Sequence, residues 1–82
     1  MALEELRWEI LNYLAGEKRY ANKDIVEAEE IVKQLNSRLD LIREELEKME
    51  YLGWVKVYKQ LTGYKAQVTP KGLLEHEQAG KD

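Results

Sequence analysis

Four lysines, Lys56, Lys59, Lys65 and Lys71, fall within sixteen residues of this 82-residue chain, with Tyr58 and Tyr64 set between them. From Tyr51 to Leu74 they meet no acidic residue, so that segment carries +4, whereas Lys23 to Glu50 holds nine acids and five bases, a balance of −4. Ammonium groups neutralise phosphate, and phenol hydroxyls hydrogen-bond to it or pack on sugars. The same lysines could instead guard exposed strand edges against aggregation. A second set of the same chemical kind precedes them: Arg38, Arg43 and Lys48, with Leu41 as an apolar group among charges. The net charge of −3 argues against indiscriminate binding to polyanions, and only the basic segment meets phosphate favourably.

Bond-making chemistry has no constellation to work with. His76 is the only histidine and is flanked by Glu75 and Glu77, neighbours that point to different sides of a helix. A structural zinc site wants four Cys or His ligands, and the chain has no cysteine. His76 therefore reads as a solvated surface residue. Ser37 has no histidine beside it and reads as a helix cap. The five glycines are scattered rather than gathered into a phosphate-cradling loop. The expectation is a protein that is not an enzyme and needs no metal or cofactor.

The elements that must position the lysines follow from periodicity. Leu3, Leu6, Ile10, Tyr13 and Leu14 lie on one face of a helix expected over Leu3 to Ala15 and stopped by Gly16. Trp8 falls on a flank, where it either covers the core edge or meets a partner subunit. Glu17 to Asn22 reads as a connector. Asp24 to Glu27 has capping-box spacing and would open a second helix with Ile25, Ala28, Ile31, Val32 and Leu35 on one face. Asn36 suits the left-handed residue that ends a helix. Ser37 would then cap a third helix, about Arg38 to Leu52, with Asp40 at its positive end and Leu39, Ile42, Leu46 and Met49 inward. A single helix from Asp24 to Leu52 cannot keep one seam through Leu35-Asn36-Ser37.

Gly53 stops the third helix, and Trp54 to Lys59 then alternates as a strand. Leu61 to Tyr64 is the expected turn, with Gly63 at positive φ, and Lys65 to Thr69 returns. Pairing Val57 with Val68 puts Lys56, Tyr58, Lys65 and Gln67 on the outer face. Thr69-Pro70 caps and opens a last helix to about Gln78, burying Leu73 and Leu74. Residues 1–79 are expected to form one domain, with 80–82 a disordered tail beyond the fraying end of that helix.

Three stretches carry a family resemblance. Leu46-Glu47-Lys48-Met49-Glu50-Tyr51-Leu52-Gly53-Trp54-Val55 resembles the exit from a recognition helix into a wing. Ile31-Val32-Lys33-Gln34-Leu35-Asn36 resembles the helix before the turn, and Val68-Thr69-Pro70-Lys71-Gly72 resembles the close of the wing. In this order they resemble winged helix-turn-helix regulators of the MarR and PadR kind and small archaeal winged-helix proteins. The expected fold class is α+β: a three-helix core, a two-stranded wing and a short C-terminal helix.

The resemblance implies a transcriptional regulator of double-stranded DNA, with Arg38, Leu41, Arg43 and Lys48 as helix contacts and Lys56, Tyr58, Lys59, Tyr64 and Lys65 as wing contacts. The third helix suits this poorly, because Asp40, Glu44, Glu45 and Glu47 repel phosphate and offer only acceptors to base edges. A protein-interaction module using that acidic face is the alternative, with charge reversal at Glu44 and Glu45 separating the two. No dedicated dimer helix is evident, which suggests a monomer or a weak homodimer through helix 1 and Trp8. No run approaches the roughly 18 apolar residues of a membrane span, and the start Met1-Ala2-Leu3-Glu4-Glu5 lacks the basic lead of a secretory signal. A cytoplasmic protein without membrane partners is expected.

Overall fold

A computed structural model of the chain describes residues 3–61 and 63–79. Its elements are α1 (Leu3–Tyr20), β1 (Ile25–Glu27), α2 (Ala28–Leu35), α3 (Leu39–Tyr51), β2 (Val55–Gln60), β3 (Gly63–Val68) and α4 (Pro70–Ala79). Thr62 of the expected turn and the expected tail at 80–82 lie outside the described residues. The strands form one antiparallel sheet in the order β1-β3-β2. Its inner face and the apolar faces of α1, α2 and α3 share one core, with Ile10, Leu11, Leu14, Ile31, Ile42, Leu46, Met49, Val26 and Val55 fully enclosed.

Two boundaries differ from the sequence reading. α1 runs through Gly16 to Tyr20. A glycine inside a helix costs about 0.5–1 kcal/mol, and the turn beyond it is held by tertiary partners: Lys18 pairs with Asp24, and Arg19 reaches Glu77 at 3.2 Å and the Leu73 carbonyl at 3.2 Å. The helix ends instead where Ala21 N–H and Lys23 N–H both donate to the Glu17 carbonyl and Asn22 adopts φ 53°. The apparent capping box at Asp24 is not used. Ile25–Glu27 is a strand paired with β3, Val26 opposite Ala66, and its alternating burial puts Val26 inside. Asp24 pairs with Lys18 instead. α2 therefore starts at Ala28, with Glu27 at the cap position and no side-chain capping bond.

The turn between α2 and α3 forms as its residues suggest at one end only. Asn36 is left-handed, at φ 51° and ψ 49°. Ser37 does not cap α3: its N–H donates to the Val32 carbonyl and closes α2, while Arg38 occupies the cap position without a side-chain bond. The inward arc of α3 is Ile42, Glu45, Leu46 and Met49. Leu39 is 38% exposed, and Leu41 is half-buried and packed against the core rather than held on the open face.

Gly53, at φ 83°, turns the chain from α3 into the hairpin. Val55 pairs with Val68 and Val57 with Ala66, two residues from the expected register. A shift of two changes the partners, so Lys56 stands beside Gln67 and Tyr58 beside Lys65, but keeps all four on the outer face as expected. Gln60 pairs with Gly63, which makes Gly63 part of β3. Thr69 caps α4, its Oγ1 accepting from Gly72 N–H at 3.1 Å and donating to the Gly53 carbonyl at 2.6 Å. Leu73 packs on the core, but Leu74 is exposed. His76 is not simply solvated: its ring nitrogens meet Arg19 at 3.0 Å and Asn12 Oδ1 at 2.9 Å, tying α4 to α1.

Candidate nucleic-acid interface

An α-helix advances 100° per residue. With Ile42, Glu45, Leu46 and Met49 inward, the opposite line of α3 is Asp40, Glu44, Glu47 and Tyr51, all exposed and Tyr51 at 92%. The outward line is thus three carboxylates and a phenol. The cations expected to touch DNA flank this line, and most are already engaged. Arg38 donates to Asp40 at 2.8 Å. Lys48 lies 3.6 Å from Glu44 and 3.4 Å from Glu45. Arg43 lies with its guanidinium carbon 4.7 Å above the Tyr64 ring, a cation–π arrangement.

Glu45 is the residue the sequence reading misplaced. Its side chain is 0% exposed and accepts from Arg7 Nε at 3.0 Å, which ties α1 to α3. A buried carboxylate without a cation partner would cost several kcal/mol. Its spacing with Ile42, Leu46 and Met49 was the available signal. Glu45 cannot serve as a contact for a protein partner, so only Glu44 of the expected pair remains open to one.

The wing divides into two faces. Lys56, Tyr58, Lys65 and Gln67 share the outer one, where Tyr58 OH donates to Gln67 Oε1 at 2.7 Å and Lys65 has Glu27 of β1 as its other neighbour. Lys56 and Lys65 carry no ion pair among the described residues. Lys59 and Tyr64, paired across the hairpin, lie on the opposite face with Val57 and Ala66 and so turn toward α3. Lys59 Nζ sits 2.8 Å from Glu47. That hydrogen bond holds the Glu47 carboxyl below the usual carboxylate range and raises the Lys59 ammonium above its own. Tyr64 is buried, its OH 3.4 Å from the Arg43 carbonyl. Burial, with the charge of Glu47 behind it, pushes its phenol up to about 12.

A second carboxylate from α3 secures the wing. Glu50 Oε2 accepts from Val57 N–H at 2.9 Å, on the edge of β2 that has no neighbouring strand. Between the start of α3 and the hairpin tip lies a cleft of about 300 Å³ lined by Glu27, Glu29, Leu39, Arg43, Gln60 and Leu61. The structure thus gathers Arg43, Lys59 and Tyr64 at the joint between α3 and wing. It leaves Lys56, Tyr58 and Lys65 on the outer sheet face. Leu41 and Lys48 lie toward α1.

No protein-family model matches the chain, and no curated protein matches it in sequence. Solved structures match it in fold. A structure of a candidate DNA-binding protein from Ralstonia eutropha JMP134 superposes with a TM-score of 0.80 at 18% identity, covering 89% of this chain and 91% of that one. A protein from Archaeoglobus fulgidus gives 0.80 at 22%, over 93% and 81%. The oxidized form of MarR from E. coli gives 0.75 at 18%, over 93% of this chain but 52% of MarR, so the chain spans about half the length of that protein. A MarR point mutant complexed with operator DNA gives 0.63 at 16%, over 96% and 66%. Helix-turn-helix from α2 to α3, hairpin wing from β2 to β3 and these superpositions agree: the chain has the winged helix-turn-helix fold of MarR-type proteins.

Proposed function

We propose that this domain binds double-stranded DNA as a transcriptional regulator, with α3 against a groove and the wing on the flanking backbone. The observation that carries the reading is the open outward line of α3 lying beside a hairpin that bears Lys56, Lys59 and Lys65 and no acid. The likeness to a MarR mutant complexed with operator DNA supports it. In this reading the wing supplies the sequence-independent attraction. Arg38, Arg43 and Lys48 add contacts at the rim of α3, and Glu44 offers an acceptor that suits cytosine N4. Tyr58 can reach sugar or phosphate, whereas Tyr64 acts by holding Arg43 and Leu41 by packing the helix. The domain works as a binding module in the cytoplasm, and no described helix is long and apolar enough to cross a membrane.

The test is a titration of labelled protein with mixed-sequence duplex DNA at low and moderate salt, following backbone amides. Shifts in 38–48 and 56–65 that fade as salt rises are expected. Absence of shifts at low salt would overturn the reading. The row Asp40, Glu44, Glu47 and Tyr51 favours one other reading, a module for a protein partner with a basic surface. Glu44→Lys separates the two: it strengthens DNA binding in the first and weakens partner binding in the second.

A further inference from the structure

We infer that Arg43 and Lys59 form one phosphate seat and that the Glu47 carboxylate holds its Lys59 side in the free protein, so that DNA must displace Glu47 to bind there. The inference rests on the DNA-binding reading and adds a competitor to it. Lys59 belongs to the row of β2 that turns toward α3, across from Tyr64, and Arg43 covers the ring of that same tyrosine at 4.7 Å. Arg43 and Glu47 are one turn apart on α3. The two cations therefore face the same joint, and an anion already holds one of them: Glu47 Oε1 lies 2.8 Å from Lys59 Nζ, while Arg43 stays over the tyrosine ring and makes no ion pair with Glu47 among the described residues. The lowered proton affinity of Glu47, due mainly to Lys59 with a minor part from Arg43, agrees with such a seat.

The exchange is feasible because the pair is open to water. The Lys59 and Glu47 side chains are 63% and 51% exposed, and ion pairs of that kind are weak and screened by salt. The other pairs on this face differ. Arg38 and Asp40 are two residues apart and turn on one short stretch of backbone. Lys48 pairs within α3 at 3.4 Å or more. Among the ion pairs of the described residues, only Lys59–Glu47 bridges recognition helix and wing, the two elements that a duplex would contact together. A DNA phosphate brings its negative charge to the same two cations, and Glu47, once released, adds repulsion.

The test is a double-mutant cycle on DNA affinity, with the wild type, Glu47→Gln, Lys59→Gln and the double variant titrated against one duplex across a salt series. Glu47→Gln is expected to tighten binding by about three- to fivefold when Lys59 is present. The log–log salt slope should steepen by up to about one unit. In the Lys59→Gln background the gain should fall below about twofold. Glu44→Gln, an equal loss of charge one turn away that releases Lys48 rather than Lys59, should change affinity by the same factor in both backgrounds. Equal gains from Glu47→Gln with and without Lys59 would show a general charge effect and overturn the inference. No binding by any variant at low salt would overturn the DNA reading and this inference with it. The amide spectrum of each variant reports whether the fold is kept, and both substituted side chains are largely in solvent.

Discussion

Gly72 shows how little room one position can leave. A Cβ there would lie 2.2 Å from the backbone carbonyl oxygen of Trp54 and 3.0 Å from Val68. The first of these is a main-chain atom that also accepts from Thr69 N–H, so it cannot step aside. Gly72→Ala should therefore destabilise the fold by about 1–3 kcal/mol, the usual cost of forced overpacking. Urea unfolding measures this, and an unchanged midpoint would mean that α4 does not sit tightly on the α3–β2 corner. Tyr64 supplies a second prediction at this scale. Its phenol is raised from 10.0 to about 12, so the folded chain holds a proton that the unfolded chain releases first. The stability this contributes is fully present below about pH 10 and is lost as pH rises through about 12. Tyr64→Phe removes the proton, so wild type and variant should differ in alkaline sensitivity in that window and not below it. Parallel slopes in thermal melts across it would refute the assignment.

Elements that rest on their own residues were legible before the structure; elements that rest on distant partners were not. Asn36, Gly53 and Thr69-Pro70 mark their boundaries by local backbone preference, and α2, α3, the hairpin and α4 lie near where those residues put them. β1 is three residues long, and its partner β3 lies about forty residues further along the chain. Local capping chemistry at Asp24 pointed to a helix, and the pairing of Val26 with Ala66 overrode it. Glu45 follows a related rule: charge suggests surface, and the long-range contact with Arg7, with Lys48 at 3.4 Å beside it, makes its burial tolerable. Of the candidate site, the lysines and arginines were legible as a set, but their division into an outer face and a joint facing α3 depends on register. Glu50 belongs to the same group of long-range contacts. Its carboxylate covers the Val57 N–H on the open edge of β2, which both anchors the wing and blunts an edge available for pairing. Glu50→Ala should speed hydrogen exchange of the Val57 amide by about five- to tenfold, the worth of one modest hydrogen bond, while amides within α3 keep their rates. Unchanged exchange at Val57 would mean the wing is held to α3 by Lys59 and Tyr64 alone.

At the scale of the whole molecule the charges are sorted: acids dominate α2 and α3, and the hairpin is basic, within a net charge of −3. Such a molecule gains little from a duplex in a random orientation, because most of its faces repel phosphate. Attraction is confined to approaches that present the wing, and this restricts encounter geometry as much as it supplies affinity. The two wing faces then make separable contributions. Lys56 and Lys65 lie on the outer sheet face and carry no ion pair among the described residues, so each is available to a phosphate without exchange. Lys59 must first leave Glu47. If a duplex lies across both α3 and the outer face of the wing, removing Lys56 and Lys65 together should flatten the log–log salt dependence by about two units, roughly 0.9 for each phosphate contact. If the duplex meets only the joint between α3 and the wing, the same double substitution should leave the slope almost unchanged while Lys59→Gln still reduces it. Binding isotherms of Lys56→Ala/Lys65→Ala over a salt series decide between these orientations. A slope unaffected by all three substitutions would take the wing out of the interface, and the acidic line of α3 offers no other source of attraction for a polyanion.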